Sequence, residues 1–377
     1  MTQLPFREHH LLALLQAYQS QTLPLDLFIS HYFRDHKALG SKDRGFIADT
    51  VYALIRWQGL LDYLLPGESS WEKRYRTFQE TDFTELKSRT DLPPSIRVSF
   101  PKVLYDLIEQ SYGEEKAIEL CLISNTPAPT TIRANAIKTS RDKLLADWKD
   151  CYDISPTLLS ENGILFHKKI NFFGLSEFKA GLFEIQDEGS QLLADLVQAK
   201  PGQQVMDYCA GSGGKTLAFA PRMQHKGQIH LHDIRPFALQ EARKRLKRAG
   251  IQNSQIHQPD SPYLNKLKKK MDWILVDAPC TGTGTLRRNP DMKWRFDEQT
   301  LTRLIGQQRT IFEKALSFLR PDGRIIYATC SLLRDENQHQ LDHFLKTYPL
   351  EVEGDYFHSL PSLGGMDGFF GVVLKRI

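Results

Sequence analysis

Cysteine is scarce, and no two of the five (Cys121, Cys151, Cys209, Cys280 and Cys330) stand at C-x-x-C spacing. An odd, scattered set argues against a zinc ribbon or a disulfide framework. It favours a reducing, cytoplasmic setting with no metal site. No apolar run approaches the roughly 18 residues of a membrane span, so no membrane partner is expected. The first ten residues lack the basic-then-apolar pattern of a signal segment. There is no internal repeat and no low-complexity stretch. Neither charge dominates: 49 Lys and Arg stand against 45 Asp and Glu. A net charge of +4 permits a polyanion partner without requiring one.

What is present is an ordinary globular composition, 41% hydrophobic and 25% charged, over 377 residues. That supports a sizeable core and two or three domains. Residues 7–65 read as helices, with stripes through Leu11, Leu12, Leu14, Leu15 and Tyr18 and through Ile47, Val51, Leu54, Ile55 and Leu61. Pro66-Gly67-Glu68 breaks the pattern. Residues 71–91 read as a weakly helical connector, and 97–124 as helical again. After Pro127-Ala128-Pro129 come a β-like run (130–134), a helix (141–150) and another β-like run (163–167), a small α+β module. From about Phe183 strands and helices alternate, with strands at 204–208, 228–232, 271–276, 324–328 and 368–375 and helices at 189–198, 236–249 and 298–319. This alternation predicts an α/β, doubly wound, Rossmann-like sheet. The expected domains are 1–125, helical and a candidate for RNA binding; 126–180, the small module; and 181–377, the catalytic domain.

In such sheets ligands bind at the carboxyl ends of the strands. There the chain carries Asp207-Tyr-Cys-Ala-Gly-Ser-Gly-Gly-Lys-Thr216. Gly211, Gly213 and Gly214 follow a predicted strand and open a helix, where glycine allows a tight turn and close ligand approach. Asp233 ends the next strand some 20 residues on, the place of a ribose-binding acid. Asp260 follows the run 254–257, and Asp277 borders the same region. Gly214-Lys215-Thr216 also fits the end of a phosphate-binding loop, but the first glycine of that pattern would fall on Cys209.

Two cysteines sit just past strand-like runs, in Asp277-Ala-Pro-Cys280 and Ala328-Thr-Cys330-Ser331. A thiolate is a strong nucleophile when its environment favours ionisation. A helix N-terminus beside Cys330 would do so, and Pro279 would fix the turn before Cys280. The loop Thr281-Gly-Thr-Gly-Thr285 reads as mobile enough to close over a ligand. Free cysteine is usually buried and inert, and Cys121, Cys151 and the Cys209 thiol take that reading. The segment 286–296 mixes Arg287, Arg288, Lys293 and Arg295 with Trp294 and Phe296, a combination suited to phosphate contact and base stacking. The runs 243–248 and 266–270 are basic as well, with a solvated helix face and a surface loop as the alternative reading; in the N-terminal region Lys42, Arg44 and Arg56 are candidates for RNA contact that no specific pattern supports.

These motifs resemble the Nop/Sun (Fmu) family of RNA cytosine-5 methyltransferases. The matching stretches are 207–216, Asp277-Ala-Pro-Cys-Thr-Gly-Thr-Gly-Thr-Leu-Arg-Arg-Asn-Pro-Asp291 and Tyr327-Ala-Thr-Cys-Ser331, with Gln186-Asp-Glu-Gly-Ser-Gln191 and Asp367-Gly-Phe-Phe370. The N-terminal helices look similar to the NusB-like RNA-binding domain of the bacterial rRNA branch. Gly211-Ser212 departs from the Ala-Pro that the family usually places before Gly-Gly-Lys.

The resemblance implies an enzyme that uses S-adenosylmethionine on RNA, rRNA rather than tRNA; a monomer is assumed. The cofactor would lie against Asp207, Cys209, Ala210, Gly211, Gly213, Gly214, Lys215, Asp233, Asp260 and Asp277. Cys330 would add to carbon 6 of a cytosine, Asp277 would hold the base edge, Cys280 would assist the final elimination, and Lys215 would lie near base or cofactor. The base would have to be unstacked or single-stranded. The alternatives are a tRNA-directed or amino-directed enzyme, or a non-catalytic RNA-binding assembly factor. Amino methylation usually needs an Asp/Asn-Pro-Pro-aromatic loop, which Asp277-Ala-Pro-Cys280 is not.

Overall fold

The structure is a computed structural model that describes residues 5–65, 67 and 69–377. The break expected at Pro66 and Glu68, and the first four residues, lie outside the described residues. The chain forms two compact units, Met1–Pro127 with Thr285–Glu298, and Ala128–Gly284 with Gln299–Ile377.

The first unit is helical: α1 (Phe6–Tyr18), α2 (Leu25–Asp35), α3 (Ser41–Leu64), α4 (Trp71–Glu80), α5 (Phe83–Ser88), α6 (Pro94–Arg97), α7 (Lys102–Tyr112) and α8 (Glu114–Ser124). Residues 71–91 are thus better ordered than a connector. Ser70 caps α4 by accepting from the Lys73 amide, and Asp82 caps α5. The two predicted stripes are buried together, Leu11, Leu14 and Leu15 with Ile47, Val51 and Leu54. The segment 285–298 belongs to this unit through its buried side chains. The Lys293 ammonium donates 2.7 Å bonds to the carbonyls of Arg56 and Ser99 and to Asn125 Oδ1. Tyr18 donates to Asp291, and Trp294 Nε1 donates to the Ile55 carbonyl.

The second unit holds two sheets. The smaller is antiparallel, β1 (Thr130–Ala134), β2 (Ile154–Pro156), β3 (Gly163–Phe166) and β4 (Phe183–Ile185) in the order β2-β3-β1-β4, covered by α9 (Arg141–Trp148) and the short α10 (Ser176–Lys179). The larger runs β10-β12-β9-β8-β5-β6-β7. Its strands are β5 (Gln204–Asp207), β6 (Gln228–His232), β7 (Ser254–His257), β8 (Met271–Asp277), β9 (Leu319–Thr329), β10 (Leu350–Val352), β11 (Phe357–Ser359, paired to β12) and β12 (Phe369–Arg376). Strands β7, β6, β5, β8 and β9 are parallel, and β12 is antiparallel to β9. The helices between them are α11 (Glu188–Ala194), α12 (Gly214–Phe219), α13 (Pro236–Ala249), α14 (Glu298–Leu316) and α15 (Gln338–Thr347). Both faces of the sheet are buried, one by a cluster with Leu217, Leu239 and Leu246, the other by Phe312, Leu341 and Phe344. Continuous apolar strands such as Trp273–Val276 follow from that. Chain order reverses between β5 and β8, the switch point at which such sheets bind ligands.

The small sheet is tied to the large one. Glu184 on β4 pairs with Arg245 at 3.0 Å and Arg248 at 2.6 Å, both on α13. Two members of the basic run 243–248 thus serve as internal clamps instead of a solvated or RNA-facing stripe. No helix among the described residues is long and apolar enough to cross a membrane.

One buried pair makes the sheet acid-sensitive. His230 Nδ1 lies 2.9 Å from His257 Nε2. Burial, then the charge of His257, pushes His230 from 6.5 down to about 4. The folded chain therefore binds fewer protons than the unfolded chain between these values, and stability falls as pH drops through that window. We expect a loss of roughly 2–3 kcal/mol from this group. Urea melts at pH 7 and 4.5 should show that much less acid loss in His230→Gln; equal losses would remove His230 as the cause.

Candidate active site

The parallel pairing of β8 and β9 sets the site. Asp277 stands opposite Ala328 in register, so the chain segments leaving the two strands run side by side and carry Cys280 and Cys330 together. Their sulfurs are 3.5 Å apart. On the other side of β8, β5 leads into the glycine turn. Lys215, in the first turn of α12, reaches Asp277 Oδ2 at 2.5 Å. Burial works against its charge, but Asp277, with a smaller effect from Cys330, raises the Lys215 ammonium above its usual range. The structure thus brings Lys215, Asp277, Cys280 and Cys330 into one cluster.

The two thiols differ in their surroundings. The contact with Cys330, then burial and the charge of Glu336, pushes the Cys280 thiol well above its usual range. Cys330 has Lys215 as its nearby cation. No helix begins at Cys330: α15 starts at Gln338, so the dipole expected there is replaced by a lysine side chain.

The glycine turn carries the remaining predicted residues. Gly211 and Gly213 have φ of +52° and +79°, values that favour glycine. The Gly211 amide donates to Asp233 Oδ2 at 2.7 Å, which joins the turn to the end of β6. Burial opposes the Asp233 charge, but Arg235 and the Gly211 amide hold the carboxyl below its usual range. Asp207 is buried at the end of β5; Thr216 donates to its Oδ2 at 2.6 Å, and its Oδ1 has no hydrogen-bond partner. Burial pushes this carboxyl up to about 7. Ala210 is buried and its amide donates to the His232 carbonyl at 2.9 Å. The Cys209 thiol is pushed well up, by burial first and then by Asp277, Asp207 and Asp233. Gly214 opens α12. Asp260 is exposed, in the loop that follows the edge strand β7.

Two expectations are corrected. The loop 281–284 is pinned, not mobile. Thr283 Oγ1 lies 3.1 Å from Ser331 Oγ and accepts from the Leu332 amide at 2.8 Å. A Cβ on Gly284 would sit 2.2 Å from the Gly368 carbonyl oxygen, so glycine is needed for that approach. Two of the four cations of 286–296, with Arg56, are likewise not displayed for phosphate, while Arg288 is half-buried and Arg295 exposed. Lys293 and Arg287 are each only 1% exposed, and Arg56 is buried with its Nη2 on the Arg287 carbonyl.

Sequence patterns alone gave no reason to single out Glu336, Asn337 and Gln308. All three are fully buried around the cysteine loops. The available signal was weak: a polar stretch, Arg334-Asp-Glu-Asn-Gln338, directly after Thr-Cys-Ser. Among the described residues no group of three or more His, Cys, Asp or Glu side chains is placed to hold a metal ion.

The chain is similar to known proteins. The family model described as 16S rRNA methyltransferase RsmB/F matches residues 194–364, and that of the RsmF/B-like ferredoxin-like domain matches residues 100–172. Ribosomal RNA small subunit methyltransferase B of Vibrio vulnificus is 32% identical over 288 residues, which cover 73% of this chain and 66% of that protein. The chain spans about two thirds of the length of the curated relatives it matches. Among solved structures, a methyltransferase homologue from Pyrococcus horikoshii is 26% identical with a TM-score of 0.66, covering 75% of this chain and 98% of that one. NSun6 from Pyrococcus horikoshii, solved with SFG, shares the fold at 20% identity and a TM-score of 0.65, over 74% of this chain and 98% of that one. With the paired cysteine loops and these matches together, the chain belongs to the RsmB/F branch of the Nop/Sun methyltransferase family.

Proposed function

We propose that this protein methylates carbon 5 of a cytosine in small-subunit rRNA, using S-adenosylmethionine and a transient covalent bond from Cys330 to the base. The observation that carries the reading is the 3.5 Å approach of Cys280 and Cys330 beside the Lys215–Asp277 ion pair. The rRNA substrate is taken from the relatives, which are ribosomal RNA small subunit methyltransferases.

The residues present fit the cofactor. Gly211 and Gly213 offer backbone free of side chains at the end of β5, and the Asp233 carboxylate is held ionised at the end of β6. Asp207, with Oδ1 lacking a protein partner, supports the turn alongside Cys209, Ala210 and Gly214. Asp260 and Asp277 complete the cradle in this reading. SFG, bound by the Pyrococcus neighbour, is an analogue of the same cofactor. When bound, the cofactor supplies the methyl group that carbon 5 takes.

The chain's own part is acid–base and nucleophilic. The Cys330 sulfur bonds to carbon 6, and the electron pair of the 5,6 double bond moves to carbon 5. Asp277, oriented by Lys215, holds the polar edge of the base, and Lys215 keeps a positive charge beside the attacking sulfur. After transfer the proton on carbon 5 leaves, its electron pair restores the double bond, and the Cys330 thiolate departs. Cys280, at contact distance from that sulfur, assists this elimination: its thiol gives its proton to the departing Cys330 sulfur, and the strongly basic thiolate left behind takes the proton from carbon 5.

The test is transfer from labelled S-adenosylmethionine to 16S rRNA, small-subunit particles and tRNA from cells lacking the protein, followed by nucleoside analysis. Label in 5-methylcytosine of 16S rRNA is expected. Label in tRNA alone would make the enzyme tRNA-directed. Cofactor binding with no transfer to any of the three would favour an assembly factor.

A further inference from the structure

The flanks of each thiol are held by a different buried polar side chain, and the two holders are consecutive in the chain. Around Cys280, the Thr281 amide donates to Glu336 Oε1 at 3.0 Å and the Thr281 hydroxyl donates to Oε2 at 2.5 Å. On its other side the Pro279 carbonyl accepts from Gln308 Nε2 at 3.0 Å, and the same amide group donates to Glu336 Oε1 at 2.9 Å. Gln308 is itself fixed: its Oε1 accepts from Tyr327 at 3.1 Å and from Gln340 at 2.7 Å. Cys280 therefore sits between two peptide groups that a single carboxylate–amide pair grips.

Around Cys330 the grip is Asn337. Its Oδ1 accepts from the Thr329 hydroxyl, and its Nδ2 donates to the Ser331 carbonyl at 2.8 Å. These are the residues on either side of Cys330. Glu336 and Asn337 have no exposed surface. Every direct contact of the Glu336 carboxylate comes from a donor, as a buried carboxylate requires. Burial pushes this carboxyl up, against hydrogen bonds from Ser331, Thr281 and Gln308. A buried network so fully satisfied is rigid, and its loss moves what it holds.

We propose that Glu336 and Asn337 are separate positioning residues for the two thiols, Glu336 setting Cys280 for release of the RNA and Asn337 setting Cys330 for attack. This rests on the two-cysteine reading above and deepens it. Neither side chain is a catalytic residue, since each acts through a cysteine loop. The separation of roles follows from the main-chain contacts: Glu336 accepts from the 281 amide and reaches the 279 carbonyl through Gln308, and meets the Cys330 side only at the Ser331 hydroxyl, while Asn337 holds the 331 carbonyl and the Thr329 hydroxyl.

The test follows covalent protein–RNA adduct and multiple-turnover methylation in parallel, for wild type, Glu336→Ala, Asn337→Ala and the two cysteine variants. Glu336→Ala is expected to form adduct at the wild-type rate, to accumulate it, and to lose about tenfold or more in kcat with KM for RNA little changed. Glu336→Gln should recover most of that loss, because its oxygen still accepts from the Thr281 amide and Gln308. Asn337→Ala is expected to slow adduct formation by about tenfold or more, with no accumulation. Where an alanine variant does not fold, Glu336→Asp, too short to reach Thr281, and Asn337→Asp, which loses the donor to Ser331, take its place with the same expectations. Identical defects in the two positions, or wild-type behaviour in both, would overturn the proposal while leaving the cysteine mechanism standing. If Cys280→Ala gives no adduct and Cys330→Ala still transfers methyl, the underlying reading has failed and takes this one with it.

Discussion

Cys330→Ala is expected to lower methyl transfer by roughly 10⁴-fold or more while leaving cofactor binding unchanged, the usual scale for deleting a covalent nucleophile. That loss corresponds to about 5.5 kcal/mol or more of transition-state stabilisation. Cys280→Ala is expected to behave differently, retaining attack but stalling with RNA attached. The distance between the sulfurs does not by itself distinguish the two thiols, since 3.5 Å is the same from either side. Their surroundings do. Cys280 is pushed well up by its neighbour, by burial and by Glu336, which suits a group that keeps its proton during attack. Cys330 has the Lys215 ammonium near it, and that ammonium gains part of its stability from Cys330. Single-turnover transfer, with adduct resolved by denaturing electrophoresis, gives both quantities in one experiment. Adduct in Cys330→Ala, absent in Cys280→Ala, would exchange the roles.

Much of this site was legible because its parts obey local rules. Helix 236–249 has Pro236 at its first position and Gly250, at φ +84°, just past its end, a start and stop that need no tertiary context. Strand β8 carries the continuous apolar run Trp273–Val276 closed by Asp277, and the shorter β5 and β6 stop at Asp207 and just before Asp233, so these three acids could be placed at strand ends directly. Strands β2 and β4 are short, three residues each, and their definition comes from antiparallel partners distant in sequence. The loop 281–284 departs from the expectation for a related reason. Alternating threonine and glycine look mobile when only backbone freedom is considered; here the threonine hydroxyls bond to Ser331 and Glu336, some fifty positions on. Gln308, Glu336 and Asn337 have the composition of a solvated helix face, and only the fold turns them inward.

Lys293→Ala should cost the helical unit about 3–5 kcal/mol, the second largest effect expected here, and the argument starts from what a buried ammonium requires. Lys293 is 1% exposed, and burial pulls its ammonium well below the usual lysine range. Its three donors meet three acceptors, the carbonyls of Arg56 and Ser99 and Asn125 Oδ1, each at 2.7 Å. The Phe100 ring lies 4.3 Å away. Truncation removes the stem and strands three buried acceptors at once, each worth about 1–3 kcal/mol when unpaired. Lys293→Met separates the two contributions: it refills the volume but still leaves the acceptors unpaired, so it should recover only the packing part. The acceptors come from α3, from the stretch before α7 and from the end of α8, so the loss should weaken the whole unit. Urea unfolding followed by tryptophan fluorescence is the natural readout, because Trp57, Trp71 and Trp294 all belong to this unit's core. A Lys293→Met variant as stable as wild type would mean that water takes over all three acceptors. A clear loss in both variants would identify 285–298 as a folding element of the helical unit, reached from the Cys280 loop by a single peptide bond, Gly284–Thr285.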